Sequence, residues 1–116
     1  MTAKPLPIPY SQRMKYIFEV HIREGYRAEE YADAWVRASA LIQQAPGARG
    51  TTLHRKIGDP NTLIAIAYWD TKASRDAMEA QDNPAITEII RSASHLCDIR
   101  LIGEFEEPEW VVDPPG

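Results

Sequence analysis

Residues 61–78 read NTLIAIAYWDTKASRDAM, and this stretch decides the fold. Its first half alternates as a strand does: Leu63, Ala65, Ala67 and Trp69 share one face, and Ile64, Ile66 and Tyr68 share the other. The strand ends in the aromatic pair Tyr68-Trp69, and Asp70 or Thr71 can cap a helix that runs from Lys72 to about Ala80. One strand face therefore sets a large indole beside two alanines. Two small side chains on a central strand leave volume that must be filled, either by a packed helix or by a ligand.

Upstream, Gly58-Asp59-Pro60-Asn61 predicts a turn that joins this strand to another over Gly50–Ile57. Before that, Arg27–Ala45 carries Tyr31, Trp35, Ala38, Leu41 and Ile42 at helical spacing and stops at Pro46-Gly47. Glu29 and Glu30 sit in its first turn, where the helix dipole favours negative charge. Lys15–Arg23 alternates again, with Tyr16, Phe18, Val20 and Ile22 on one face. Downstream, Asn83-Pro84 starts a helix that reaches about His95, with Ile86, Ile89 and Ile90 as its apolar stripe. Cys97–Phe105 is a last strand, with Ile99, Leu101, Gly103 and Phe105 expected on one face.

The element order is β-α-β-β-αα-β. It predicts an α+β, ferredoxin-like split βαβ unit: a four-stranded antiparallel sheet with its helices on one face. Residues 1–14 are a Pro-rich N-terminal arm, 15–105 the compact domain and 106–116 an extended tail with Trp110, Val111 and Val112 between prolines. The sheet face away from the helices carries Ile17, Glu19, His21, Thr52, His54, Ile64, Ile66, Tyr68, Arg100 and Ile102. That mixture is too apolar for open water and too polar for a core. It predicts a homodimer through this face, giving a dimeric α/β barrel, with the tail docked across the partner.

Composition excludes several function classes. The 116 residues form one domain with a 44% hydrophobic content and a formal charge of −4. The basic residues are scattered, so neither nucleic acid nor an anionic membrane is an expected partner. No apolar run approaches the roughly 20 residues of a membrane helix, and the N-terminus lacks the apolar segment of a signal peptide. The lone Cys97 makes no internal disulfide and holds no zinc by itself. These features fit a cytoplasmic protein. No Ser-His-Asp order, P-loop, Gly-rich dinucleotide loop or HExxH is present, and no metal or cofactor is expected.

Four segments carry a resemblance. They are Phe18–Gly25, the helix end Gln44–Gly47, the hairpin Leu53–Ala67 through Gly58–Asn61, and Tyr68–Lys72 entering a helix. Over roughly residues 15–105 the chain resembles the antibiotic biosynthesis monooxygenase-like family of dimeric α+β barrels. The resemblance implies a pocket between sheet and helices, lined by the indole of Trp69. It also implies a cofactor-independent monooxygenase or oxidase acting on a small aromatic or polyketide-like substrate. Haem-degrading members pair that indole with a first-strand asparagine and a later histidine. Here the first strand offers Phe18, Glu19 and Val20 instead. The fold also serves proteins without catalysis, so a dimeric small-molecule-binding or stress-associated protein is the alternative.

The expected site joins Trp69 and His95 as catalytic residues with Phe18, Tyr31, Trp35 and Arg55 as substrate contacts. A metal-free oxygenase needs a substrate that can give an electron to O2, such as a phenolate or enolate. His95 would take its proton if it faced the pocket, and Arg55 would hold its anionic oxygen. The aromatic residues would wall a pocket for a flat apolar ligand. Each also has a plainer role: Trp69 as a core anchor, Tyr31 and Trp35 as an ordinary helix stripe. His21 and His54, near Glu19 and Arg100, are either an acid-base or metal cluster or a satisfied polar network.

Overall fold

The computed structural model describes residues 13–116, so all but the last two residues of the Pro-rich arm lie outside the described residues. The elements are β1 (Met14–Ile22), α1 (Ala28–Ile42), β2 (Ala48–Lys56), β3 (Asp59–Trp69), α2 (Lys72–Ala80), α3 (Pro84–Ala93), a 3-10 turn (Ser94–Leu96) and β4 (Cys97–Glu106). The strands form one sheet in the order β2-β3-β1-β4, and every neighbouring pair is antiparallel. This is the α+β, ferredoxin-like arrangement that the alternation predicts.

The register explains where the core sits. β1 and β3 lie in the middle of the sheet, with Phe18 opposite Ala65, Val20 opposite Leu63 and Met14 opposite Trp69. On that face Val20, Ile22 and Leu63 are buried against Ala28, Tyr31 and Ala34 of α1, Ala93 of α3, and Leu96. The alanines on the inner side of α1 let helix and sheet approach closely. Ala65 is 1% exposed, with Phe18 and Leu53 as its neighbours in register. Other side chains therefore cover the space that this alanine leaves. Helix starts are fixed locally: the Thr71 hydroxyl accepts from Ser74 N at 3.0 Å, and Asn83 Oδ1 accepts from Ile86 N at 3.3 Å.

The hairpin turn lies one step earlier than the sequence reading places it. β2 ends at Lys56, which pairs with Asp59, and Ile57-Gly58 forms the turn with Gly58 at φ +87. Only glycine adopts that backbone without strain, so Gly58 and not Pro60 closes the hairpin. Ile57, expected inside the strand, is 99% exposed at the tip. Pro60 falls in an irregular stretch of β3 where the register shifts, which suits a residue without an N–H. There the Asp59 carboxylate accepts from Asn61 N and from the Thr62 hydroxyl, and these bonds hold it below the usual carboxylate range.

β4 corrects a second expectation. Leu101 pairs with Phe18 but Gly103 pairs with Ile17, so one extra residue is inserted in β4. Beyond this bulge the two faces exchange. Glu104 comes opposite Tyr16 on the helical side, where it pairs with Lys72 at 3.2 Å, and Phe105 moves to the open face. Ile99 and Leu101 therefore do not share a face with Gly103 and Phe105, because period-two counting fails across a bulge. On the open face Ile17, Ile64, Ile66 and Tyr68 are half-buried. The tail after Glu107 is exposed, with Trp110 72% accessible, and Glu107 N bonds to Arg13 O at 3.3 Å.

The turn between α1 and β2 is packed against α2. A Cβ at Gly47 would lie 2.5 Å from both Cβ and Oγ of Ser74, and Gly47 has φ +88. Gly50 has a similar φ of +98 with nothing within 4 Å of its would-be Cβ. Left-handed backbone costs a non-glycine residue about 1–2 kcal/mol, so Gly50→Ala measures that cost alone and Gly47→Ala adds the clash. Gly47→Ala is expected to lower Tm by at least about 5 °C more than Gly50→Ala, since 1 kcal/mol is worth about 4–8 °C in a domain of this size. Equal melting temperatures in calorimetry would remove the close packing of this turn on α2.

Candidate functional site

A cavity of about 590 Å³ lies between the sheet and the helices. β1 contributes Tyr16 and Phe18, β3 contributes Trp69, and α1 contributes the stripe Tyr31, Ala34, Trp35, Ala38, Ser39 and Ile42. α2 brings Arg75 and Met78, and α3 brings Ile86, Ile89 and Ile90. Trp69 is 2% exposed and fixed at the end of β3. The Tyr16 and Phe18 rings meet edge to face with centroids 6.0 Å apart. The volume and the aromatic walls suit a small, flat, apolar molecule.

Polar side chains share this wall, among them Gln43, Arg75, Glu79, Gln81, Asn83 and Asp98. Gln43 lies just past α1, where its Oε1 accepts from Gly50 N at 2.7 Å. That bond fixes the amide orientation, and Nε2 is left buried without a hydrogen-bond partner among the described residues. A buried donor left unpaired costs about 1–3 kcal/mol. Arg75 is buried apart from 12% of its side chain, lies over the Tyr16 ring at 4.1 Å, and pairs through Nη1 with Glu79. Burial pushes the Tyr31 phenol well above its ordinary value, with a smaller push from Cys97, so the hydroxyl keeps its proton at neutral pH. Burial likewise raises the Cys97 thiol. Asp98, also in the wall, is held below the usual range by Arg23, which donates to it at 2.8 Å.

The structure brings Phe18, Tyr31, Trp35 and Trp69 together around one cavity. It places His95 and Arg55 elsewhere. α3 stops at Ala93, and the tight 3-10 turn buries Leu96 while leaving His95 exposed. The imidazole meets the Tyr26 ring edge to face at 5.3 Å and lies outside the cavity wall. Arg55 is exposed near the hairpin and donates to Glu29 at 2.9 Å. Neither side chain is positioned for the expected role.

The open face holds its histidines in separate local contacts. His21 bonds to Glu19 and approaches the Thr62 hydroxyl at 3.4 Å, while His54 meets the Thr52 hydroxyl at 2.9 Å. Among the described residues, no three His, Cys, Asp or Glu side chains converge as metal ligands.

Gln43 and Arg75 are the residues that sequence reasoning missed. For Gln43 a signal existed: Tyr31, Trp35, Ser39 and Gln43 follow at four-residue steps, so two polar residues continue an apolar stripe. For Arg75 the signal was weak, because α2 has only Met78 as a large apolar residue to orient it.

No curated protein matches the chain in sequence. Among solved structures it is similar to SnoaB, a cofactor-independent oxygenase from Streptomyces nogalater, with a TM-score of 0.74 at 18% identity over 88% of this chain and 99% of SnoaB. It is similar to PA3566 from Pseudomonas aeruginosa, with a TM-score of 0.69 at 15% identity over 85% of this chain and 97% of that one. It is also similar to SO0527 from Shewanella oneidensis, with a TM-score of 0.68 at 15% identity over 84% of this chain and 92% of that one. At such identities the likeness is one of fold. The sequence pattern of antibiotic biosynthesis monooxygenases matches residues 14–91, from the first residue of β1 into α3 and well over half of the chain. The chain thus belongs to the antibiotic biosynthesis monooxygenase family.

Proposed function

We propose that this protein is a cofactor-independent monooxygenase or oxidase that takes a small aromatic, polyketide-like substrate into the cavity beneath α1 and α3. The observation that carries this reading is the aromatic-walled cavity of about 590 Å³, with Trp69 in its wall. SnoaB, a cofactor-independent oxygenase, shares the fold. The protein's part is to hold a flat, oxidisable ring away from water while O2 reacts with it. A second reading, a non-catalytic binder of the same ligands, draws on one fact. The carboxylates in the wall, Glu79 and Asp98, are ion-paired, and no histidine lines the cavity.

Oxygen uptake with flat phenols, measured in chelator without added metal or flavin, separates the two. The first reading expects uptake that Trp69→Phe lowers by about tenfold, the scale on which a wall contact acts. His95→Ala and Arg55→Gln, both outside the cavity, should stay within about twofold of the parent. Ligand binding seen as a rise in Tm, with no oxygen uptake, would establish the binder.

We further propose a cytoplasmic homodimer joined through the open sheet face, with the exposed tail laid across the partner. Ile64, Ile66 and Tyr68 support it, because burying each large apolar side chain is worth roughly 1.5–3 kcal/mol. Among the described residues no helix is long and apolar enough to cross a membrane. Sedimentation at micromolar concentration should give a dimer, and Ile66→Glu should shift it to monomer by placing an unpaired charge in that face. An unchanged mass for Ile66→Glu would remove the face from the interface.

A further inference from the structure

The cavity is shut at one end and open at the other. Buried Trp69, with buried Met14 opposite it in register, shuts one end. The open end lies between α3 and β4, where Ile90 and Ile99 line the cavity and are still 54% and 56% exposed. Leu101 follows two residues after Ile99 on the same face, before the bulge, and is 55% exposed. Ile99 and Leu101 stand beside Val20 and Phe18, which pack under the helices, so all four belong to the helical side of the sheet. The exposure of the outer two shows that the helical layer stops short of the edge strand. Ile90, Ile99 and Leu101 thus carry the cavity wall outward as an aliphatic strip. Thr87, Ser94 and Asp98 border the same end, and Asp98 is engaged by Arg23.

We infer that Ile90, Ile99 and Leu101 form a subsite for an aliphatic chain, so that the ligand is an alkyl-substituted aromatic with its ring towards Trp69 and its chain emerging over β4. This inference rests on the reading of the cavity as a site for flat aromatic molecules. Length supports it. Trp69 is level with Met14 of β1 and Ile99 with Val20, and six residues of strand span about 20 Å. A flat molecule of two or three rings is shorter than that, so a ring at Trp69 leaves the Ile99 end for another part of the ligand. Chemistry supports it too. Isolated exposed aliphatic residues are ordinary, but three that adjoin a cavity mouth make a groove. Branched aliphatic side chains offer area without direction, which suits a flexible chain. The strip also lies on the side of the sheet opposite the proposed dimer face, so a second copy joined through that face leaves it open.

Naphthols with chains of graded length test this in the full-length protein. 2-Naphthol carrying a methyl, butyl or hexyl chain at carbon 6 is titrated by calorimetry under nitrogen, so that nothing is oxidised. Each added methylene should tighten binding about twofold, short of the roughly fourfold of full burial because the groove faces water on one side. The hexyl compound should then bind about thirtyfold more tightly than the methyl compound. Leu101→Asn should cut that advantage to about tenfold or less, and Ile99→Asn combined with Leu101→Asn to about threefold or less, while Leu101→Met keeps it. Leu101 is outside the cavity wall, so Leu101→Asn should leave the methyl compound within about twofold of the parent. Circular dichroism checks the fold of each variant. A parent without chain-length dependence, or a dependence that the double variant leaves unchanged, overturns the subsite and leaves the cavity reading intact. So does a dependence that appears only after residues 107–116 are deleted, because the tail then occupies the groove. If not even the methyl compound binds, the cavity reading falls and the subsite falls with it.

Discussion

The structure depends on keeping Trp69 dry. This indole stands at the end of β3, opposite Met14 of β1 and Ala48 of β2, where the sheet runs out and water would otherwise enter. The chain seals that end with a corner. Asp70 N donates to Gly47 O at 2.8 Å, Arg49 donates to the Asp70 carboxylate at 2.8 Å, and Gly47 presses on Ser74 of α2. The corner fixes α2, and α2 in turn carries Arg75 and Met78 over the cavity. One buried aromatic side chain thereby links the sheet, the first helix-to-strand turn and the polar part of the site.

The aromatic residues and the donors play different parts. Phe18, Tyr31, Trp35 and Trp69 supply area and shape, which any flat molecule of the right size could use. Polar side chains in such a wall add direction, because a hydrogen bond discriminates far more sharply than apolar contact does. A family whose fold serves many chemistries can change substrate by moving such donors while the aromatic shell stays in place.

Much of the fold was legible because its signals are local. Alternation over Leu63–Trp69 and Tyr16–Ile22, the Thr71 and Asn83 caps and the Pro46-Gly47 stop each act within a few residues of themselves. The aromatic wall was legible too, since Tyr31 and Trp35 lie one helical turn apart and Phe18 and Trp69 share a sheet face. What was not legible depends on a single residue's offset. The extra residue in β4 exchanges the places of Glu104 and Phe105, and nothing in the pattern Ile99-Arg100-Leu101-Ile102-Gly103 marks it apart from the glycine. His95 was lost in a similar way: three residues wound as a tight turn instead of an α-helix swing its ring from the cavity to Tyr26. Arg75 was hidden because a nine-residue helix with one methionine does not announce which side it buries.

The burial of Cys97 has a practical consequence. This thiol, the only one in the chain, sits where α3 gives way to β4, on the cavity wall, and its raised pKa keeps it unreactive in the closed state. A thiol reagent reaches it only through the cavity or when that corner opens. A molecule in the cavity that holds the corner shut slows modification by one plus the ratio of its concentration to its Kd. The protein carries its own occupancy gauge, readable without an introduced label and indifferent to whether the bound molecule is ever turned over.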